Sequence, residues 1–218
     1  MIVVIQCAAS KAHNAGHLLT PAGTPVTFVA HPEIAPVDNG HVHARPDDDC
    51  GGGKSWRDVL MDYNKDPRGN PVGLVAAYRL YDNAVYQRLV DRLGIANVYI
   101  LSAGWGLLRA DFLTPYYDIT FSASARGDDA YKRRRKADRY EDFRMLPEET
   151  EDEILFFGGK DYIALFCELT AGVKSRRTLF YSSAQPPAAP GCMLAKFDTK
   201  TRTNWHYEGA NAFLDRAL

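Results

Sequence analysis

Between residues 154 and 182 the chain runs Ile154-Leu155-Phe156-Phe157, then Gly158-Gly159, then an amphipathic stretch from Lys160 to Thr170, then Thr178-Leu179-Phe180-Tyr181-Ser182. Two short apolar runs joined by one helix leave a single economical arrangement. The helix crosses over, and the two strands lie parallel in one sheet. Parallel sheets are covered on both faces, so their strands read as continuous apolar runs. Two more such runs are present: Ile2-Val3-Val4-Ile5-Gln6 at the start, and Asn97 to Leu101 with Val98-Tyr99-Ile100-Leu101. The pattern predicts an α/β fold with a small, mainly parallel central sheet flanked by helices.

Helices are predicted around this sheet. Ser55 is an N-cap for Trp56, Val59, Leu60 and Tyr63 at helical spacing, and Asn83 caps a second run ending at Gly94. Residues 12–54 break the pattern. They hold five of the six histidines, many prolines and glycines, and Asp47-Asp48-Asp49. We read them as a loop-rich excursion from one domain spanning 1–218, with Val26 to Ala30 as an edge strand. At 218 residues a second domain would have to be small.

Ligands of open α/β sheets bind beyond the carboxyl ends of the strands. Those ends read Gln6-Cys7-Ala8-Ala9-Ser10-Lys11, Ser102-Ala103-Gly104-Trp105-Gly106, Gly158-Gly159-Lys160 and Ser182-Ser183-Ala184-Gln185. Small residues admit a ligand to the backbone, and free N–H groups suit anions. Strand-to-helix turns also use glycine for purely conformational reasons. The densest candidate is the stretch 99–121. A Gly-x-Gly turn carries Trp105, and Pro115 sets a turn with Tyr116, Tyr117 and Asp118. A carboxylate among rings suits a stacked base and a reacting sugar. The same residues also fit a core tryptophan and a turn-capping aspartate.

Charge narrows the partners. Lys plus Arg number 26 and Asp plus Glu 27, for a net charge of −1, which excludes a globally basic nucleic-acid coat. Residues 126–139 are nonetheless basic through Lys132, Arg133, Arg134, Arg135 and Lys136, and residues 141–153 are acidic. Such runs are solvated faces, and the basic one is a candidate holder of DNA phosphates. No apolar run is long enough to span a bilayer, and Met1 leads into a strand with no signal-peptide pattern. The four cysteines form no Cys-x-x-Cys pair, which fits a reducing cytoplasm.

Weaker patterns are also present. Cys50-Gly51-Gly52-Gly53-Lys54-Ser55 ends like a phosphate-binding loop, but Asp48 stands where its first glycine belongs. Cys7, His13 and His17 are a sparse ligand set, and no metal is expected. His206 lies between Trp205 and Tyr207, which suits a buried histidine as well as a ligand-binding one. Spacing does not select a triad of Ser102, His206 and an aspartate.

Ile100-Leu101-Ser102-Ala103-Gly104-Trp105-Gly106-Leu107-Leu108, followed by Thr114-Pro115-Tyr116-Tyr117-Asp118, resembles the YaaA-like family and its relatives of unknown function. Cys7-Ala8-Ala9-Ser10-Lys11 and Leu80-Tyr81 match further elements of that family. The resemblance covers about residues 1–11 and 75–122. It implies an α/β protein tied to DNA, oxidative stress and, in phage-linked relatives, nucleic-acid modification or defence. The arrangement is also similar to uracil-DNA-glycosylase-like architectures, an analogy of fold alone.

The expectation is a DNA glycosylase that cleaves the N-glycosidic bond of a modified nucleobase, with a role in antiphage defence. Asp118, Ser10 and Lys11 are the catalytic candidates. Gln6, Ser102, Gly104, Trp105, Gly106, Tyr116, Tyr117 and His206 are the substrate-binding candidates. DNA is the expected partner, with no cofactor, membrane or obligate protein partner. The alternatives are a DNA-binding stress protein without activity and an enzyme acting on free nucleotides.

Overall fold

Ile2 to Ile5 are buried because β1 lies in the middle of a seven-stranded sheet, with a parallel strand on each side. The computed structural model describes residues 1–12, 14–38, 40–201 and 203–216. In chain order its elements are β1 (Ile2–Gln6), β2 (Val26–Val29), β3 (Val42–Ala44), α1 (Trp56–Lys65), β4 (Val75–Ala76), α2 (Ala77–Leu80), α3 (Ala84–Leu93), β5 (Val98–Ser102), β6 (Gly106–Arg109), β7 (Leu113–Thr114), β8 (Tyr117–Asp118), β9 (Phe143–Arg144), β10 (Ile154–Phe157), α4 (Lys160–Leu169), β11 (Arg177–Tyr181), β12 (Met193–Lys196) and α5 (Trp205–Leu214).

The main sheet has the order β12-β11-β10-β1-β5-β6-β9. The strands from β12 to β5 are mutually parallel, β6 turns back antiparallel to β5, and β9 runs parallel to β6. Phe156 and Phe157 show how both faces are covered. Adjacent strand residues point to opposite faces. Phe156 stacks on Phe166 of α4 with centroids 4.2 Å apart, while Phe157 meets Phe213 of α5 at 5.9 Å. Helices α4 and α5 therefore sit on opposite sides of β10, which gives the α/β architecture expected.

Both helix starts read from sequence are present. Ser55 and Asp58 form a reciprocal capping box on α1, and the Asn83 side chain accepts from the Val85 amide at the start of α3. Gly94 ends α3 at φ +83°, where a side chain would be strained.

Two expectations are corrected. β2 is not an edge strand: it is central in a separate three-stranded sheet, β3-β2-β8. Its partner β8 comes from far along the chain, pairing Phe28 with Tyr117 and Val29 with Asp118. Such long-range pairing leaves no local sequence signal. The Ser102–Gly106 turn, in turn, does not lead into a helix. It is a tight hairpin into β6, closed by Gly104 and Trp105 amides that both donate to Ser102 Oγ.

Candidate functional site

Strand order reverses at β1. The chain leaves β1 to build β5 on one side, then returns to lay β10, β11 and β12 on the other. Beyond the carboxyl ends of β1, β10 and β11 lies a cleft of about 630 Å³. Its walls are the segments 6–9, 158–163, 181–183, 199–201 and 203–207, and Thr120 and Ser122. A crevice at this point is where open parallel sheets bind ligands.

Gln6 joins two of these walls. Its backbone carbonyl accepts from Tyr86 Oη at 2.8 Å, and its Oε1 accepts from the Gly159 amide at 2.5 Å, at the N-cap of α4. The turn before α4 needs glycine at 158, because a Cβ there would lie 2.2 Å from Phe156 Cζ. The first turn of α4, with Lys160, Asp161 and Tyr162, borders the cleft and brings the positive end of the helix dipole to it. Cys7 Sγ lies 3.2 Å from Tyr162 Oη.

His206, in the first turn of α5, is 2% exposed, and its Nε2 has no hydrogen-bond partner among the described residues. Burial pulls its pKa down to about 4, so the imidazole is neutral at pH 7 and can donate or accept one hydrogen bond. Its ring packs 4.0 Å from that of Tyr207. The cleft thus combines a helix N-terminus, a neutral imidazole, the Gln6 amide and one carboxylate, Asp161.

The other predicted residues lie elsewhere. Ser102, Gly104, Trp105 and Gly106 are buried in the core. Trp105 is 0% exposed, against Phe28 at 4.9 Å and Phe143 at 6.2 Å, so it is not a wall of the cleft. Gly104 lies against the Tyr117 ring, where a Cβ would come within 3.1 Å. Gly106, at φ +86°, abuts the Phe143 backbone, 2.7 Å from any added Cβ.

The carbonyls of the hairpin turn are covered by arginines. Arg57 donates to the carbonyls of Gly104 and Trp105, at 2.8 and 3.1 Å. Arg134 donates to Ala103 O at 2.9 Å and takes Asp142 through both terminal nitrogens, at 3.0 and 2.6 Å. Asp142 also lies 3.7 Å from Arg57. Burial pushes the Asp142 carboxyl up, while its hydrogen bonds to Arg134 push it down.

Tyr117 is fully buried. Its hydroxyl accepts from Ser102 Oγ at 2.9 Å and meets Tyr81 Oη at 2.9 Å. Burial holds the phenols of Tyr81, Tyr117 and Tyr162 far above their ordinary range, so they stay protonated. Lys11 is 8% exposed, 4.3 Å above the Tyr117 ring, and donates to Ala9 O. Desolvation lowers its pKa, opposed by nearby Cys7 and Asp118. Ser10 is exposed, and its carbonyl accepts from the Asp82 amide.

Tyr116 is half-buried beside His17, with ring centroids 5.5 Å apart. Asp118 is bound to Lys132 at 3.0 Å and does not line the cleft; the segment reaches the cleft two residues later, at Thr120. Lys132 also holds Asp129 at 2.8 Å, and these bonds raise its pKa despite desolvation. The basic run is therefore not one solvated face. Arg134 is buried, Lys132 and Arg133 are half-buried, and only Arg135 and Lys136 of the five are exposed.

Ser55 of the phosphate-loop-like stretch caps α1, and Lys54 pairs with Asp62 at 2.9 Å. His17 Nδ1 is bonded to Val26 O; His13 lies outside the described residues. Among the described residues no group of three His, Cys, Asp or Glu is placed to hold a metal ion. No helix among them is long and apolar enough to cross a membrane.

Sequence reasoning named Gln6, His206 and the Gly158 and Ser182 loops, but not Asp161, Tyr162 or the wall segments 199–201 and 203–205. The acid and the tyrosine carried a signal, since they open the helix after Gly158-Gly159. Those wall segments carried none, because their place depends on α5 docking against α3. No family model, curated protein or solved structure matches this chain.

Proposed function

We propose that the protein is an N-glycosyl hydrolase that accepts a nucleobase of DNA, turned out of its strand, in the cleft beyond β1, β10 and β11. The observation that carries this reading is the cleft itself: nucleotide-sized, at the reversal of strand order, and lined by a neutral imidazole, an amide and a helix N-terminus. Breaking an N-glycosidic bond builds positive charge on the sugar and negative charge on the departing base. Asp161 is the carboxylate within the cleft for the first. Gln6 and His206 are neutral donors for the second, and the α4 N-terminus favours the same charge. Asp118, the carboxylate expected from sequence, is compensated by Lys132 outside the cleft.

The resemblance to the YaaA-like family supports DNA as the source of the nucleotide and a role in nucleic-acid modification or antiphage defence. A reducing cytoplasm is the proposed compartment. Lys160 and Lys200 at the cleft, with Arg135 and Lys136 on an adjoining cavity that shares Asp161 with it, are exposed cations for phosphates. The burial of Arg134 shortens this track and favours, as the second reading, an enzyme acting on free nucleotides.

Mass spectrometry of small products from unmodified DNA, phage-modified DNA and nucleoside monophosphates tests both. Free base released from DNA is the expected result. Release only from monophosphates selects the second reading. Salt-dependent DNA binding with no released base would leave a binding protein in place of an enzyme.

A further inference from the structure

Cys167 and Cys192 lie 25 residues apart in sequence, and their sulfurs are 4.0 Å apart. Cys167 is on the buried face of α4. Cys192 follows a tight turn, Ala189-Pro190-Gly191-Cys192, in which its amide donates to Ala189 O at 3.1 Å and Gly191 has φ +74°. Proline then glycine at the central positions fixes a type II turn, so the partner thiol is presented by a stiff loop. The turn also sits on Arg177, whose Nη2 would lie 2.2 Å from a Cβ at Gly191 and whose Nη1 donates to Thr170 O and Oγ1 at the end of α4. Helix, turn and cation are thus packed around two thiols.

We propose that Cys167 and Cys192 close into a reversible disulfide when the protein meets a hydroperoxide. A disulfide needs its sulfurs about 2.05 Å apart, so the gap to close is about 2 Å, within reach of side-chain rotation and a small shift of the turn. Cys192 is half-exposed and Cys167 buried, which makes Cys192 the sulfur that meets the oxidant. The hydrogen bond with Cys167 and the Arg177 charge pull the Cys192 thiol down to about 7, against desolvation, while Cys167 is raised and keeps its proton.

The chemistry balances. The Cys192 thiolate attacks one peroxide oxygen, the O–O bond breaks, and the other oxygen leaves as hydroxide or alkoxide and takes a proton. Sulfur is oxidised by two electrons to the sulfenic acid. The Cys167 thiol then attacks that sulfur, the S–O bond breaks and water departs, leaving the S–S bond. The staple would tie α4, whose first turn walls the cleft, to the chain between β11 and β12, which starts at the cleft residues Ser182 and Ser183. This inference stands whatever the cleft binds.

The test uses the full chain, treated with hydrogen peroxide while folded, then unfolded in the presence of an alkylating agent and digested with trypsin. The expected product is peptide 161–174 linked to peptide 178–196, about 2 Da lighter than their sum. Dithiothreitol should release it, and it should be absent from Cys192→Ser and from Cys167→Ala. Cys7 and Cys50 should remain alkylatable. Complete alkylation of all four cysteines after peroxide would overturn the proposal. So would Cys192 advancing to the sulfinic acid with Cys167 still a thiol, or a link whose yield rises with protein concentration.

Discussion

Gln6 Oε1 accepts the Gly159 amide although the two residues stand 153 positions apart, one ending β1 and the other capping α4. A single side chain therefore sets the spacing of two cleft walls. Gln6→Ala removes a helix-capping acceptor, a loss of about 1 kcal/mol in stability. Urea denaturation should show that loss. Base release should fall further than the stability change explains, because the other end of the same amide is assigned to the substrate. Equal activity in folded Gln6→Ala would remove Gln6 from the site.

Asp142 is the shared counterion of Arg57 and Arg134, which cover the carbonyls of the Ala103–Trp105 turn. Arg134 and Asp142 side chains are 6% and 5% exposed, so removing one partner strands a buried charge. Asp142→Ala should cost about 3–5 kcal/mol. Arg134→Gln should destabilise comparably, whereas Arg135→Gln and Lys136→Gln should not. Thermal melts of the four variants separate the structural arginine from its exposed neighbours.

DNA binding should divide the same run differently. Arg135→Ala and Lys136→Ala should each reduce the slope of log affinity against log salt by about one if they hold phosphates. An unchanged slope in the double variant would assign these two only to solubility.

The sheet was legible in the sequence because parallel strands must be apolar throughout. Ile2–Gln6 and Ile154–Phe157 could be read residue by residue. Trp105 and Arg134 show what was not legible. A tryptophan between two glycines after a strand has the local pattern of an exposed ligand loop. What buries it is Phe28 from a distant sheet and Arg57 from α1. An arginine in a run of five basic residues has the local pattern of solvent. What buries it is the Ala103 carbonyl, the Phe121 and Tyr140 rings and Asp142 eight residues on. Both depend on contacts between segments whose docking no periodicity announces.

His206 gives the cleft a pH dependence. Its folded pKa of about 4 lies below the ordinary imidazole value of 6.5, so between these values the unfolded chain binds more protons than the native one. Stability must therefore rise with pH through that window and fall as pH drops from about 6.5 towards 4. The full loss is on the order of 3 kcal/mol. His206→Phe should flatten this part of the stability profile. A wild-type curve that is flat from pH 6.5 to 4 would mean the imidazole finds a partner that keeps it charged.

The most discriminating pair of variants concerns the two carboxylates. Asp118 comes from a turn whose sequence suggested a reacting sugar, but its charge is compensated by Lys132 at 3.0 Å and its side chain lies outside the cleft wall. Asp161 is in the first turn of α4 and lines the same cleft as His206. Only a carboxylate in contact with the sugar can stabilise an oxocarbenium-like transition state. Asp161→Asn keeps the shape and removes the charge, so base release should fall at least about a hundredfold, the low end for such groups. Asp118→Asn leaves Lys132 with Asp129 and should change turnover by less than about tenfold while lowering stability modestly. Both variants should keep their fold and their affinity for substrate. If Asp118→Asn loses the hundredfold and Asp161→Asn does not, the catalytic carboxylate is the one the sequence indicated, and the sugar must lie on the Asp118 side of Thr120.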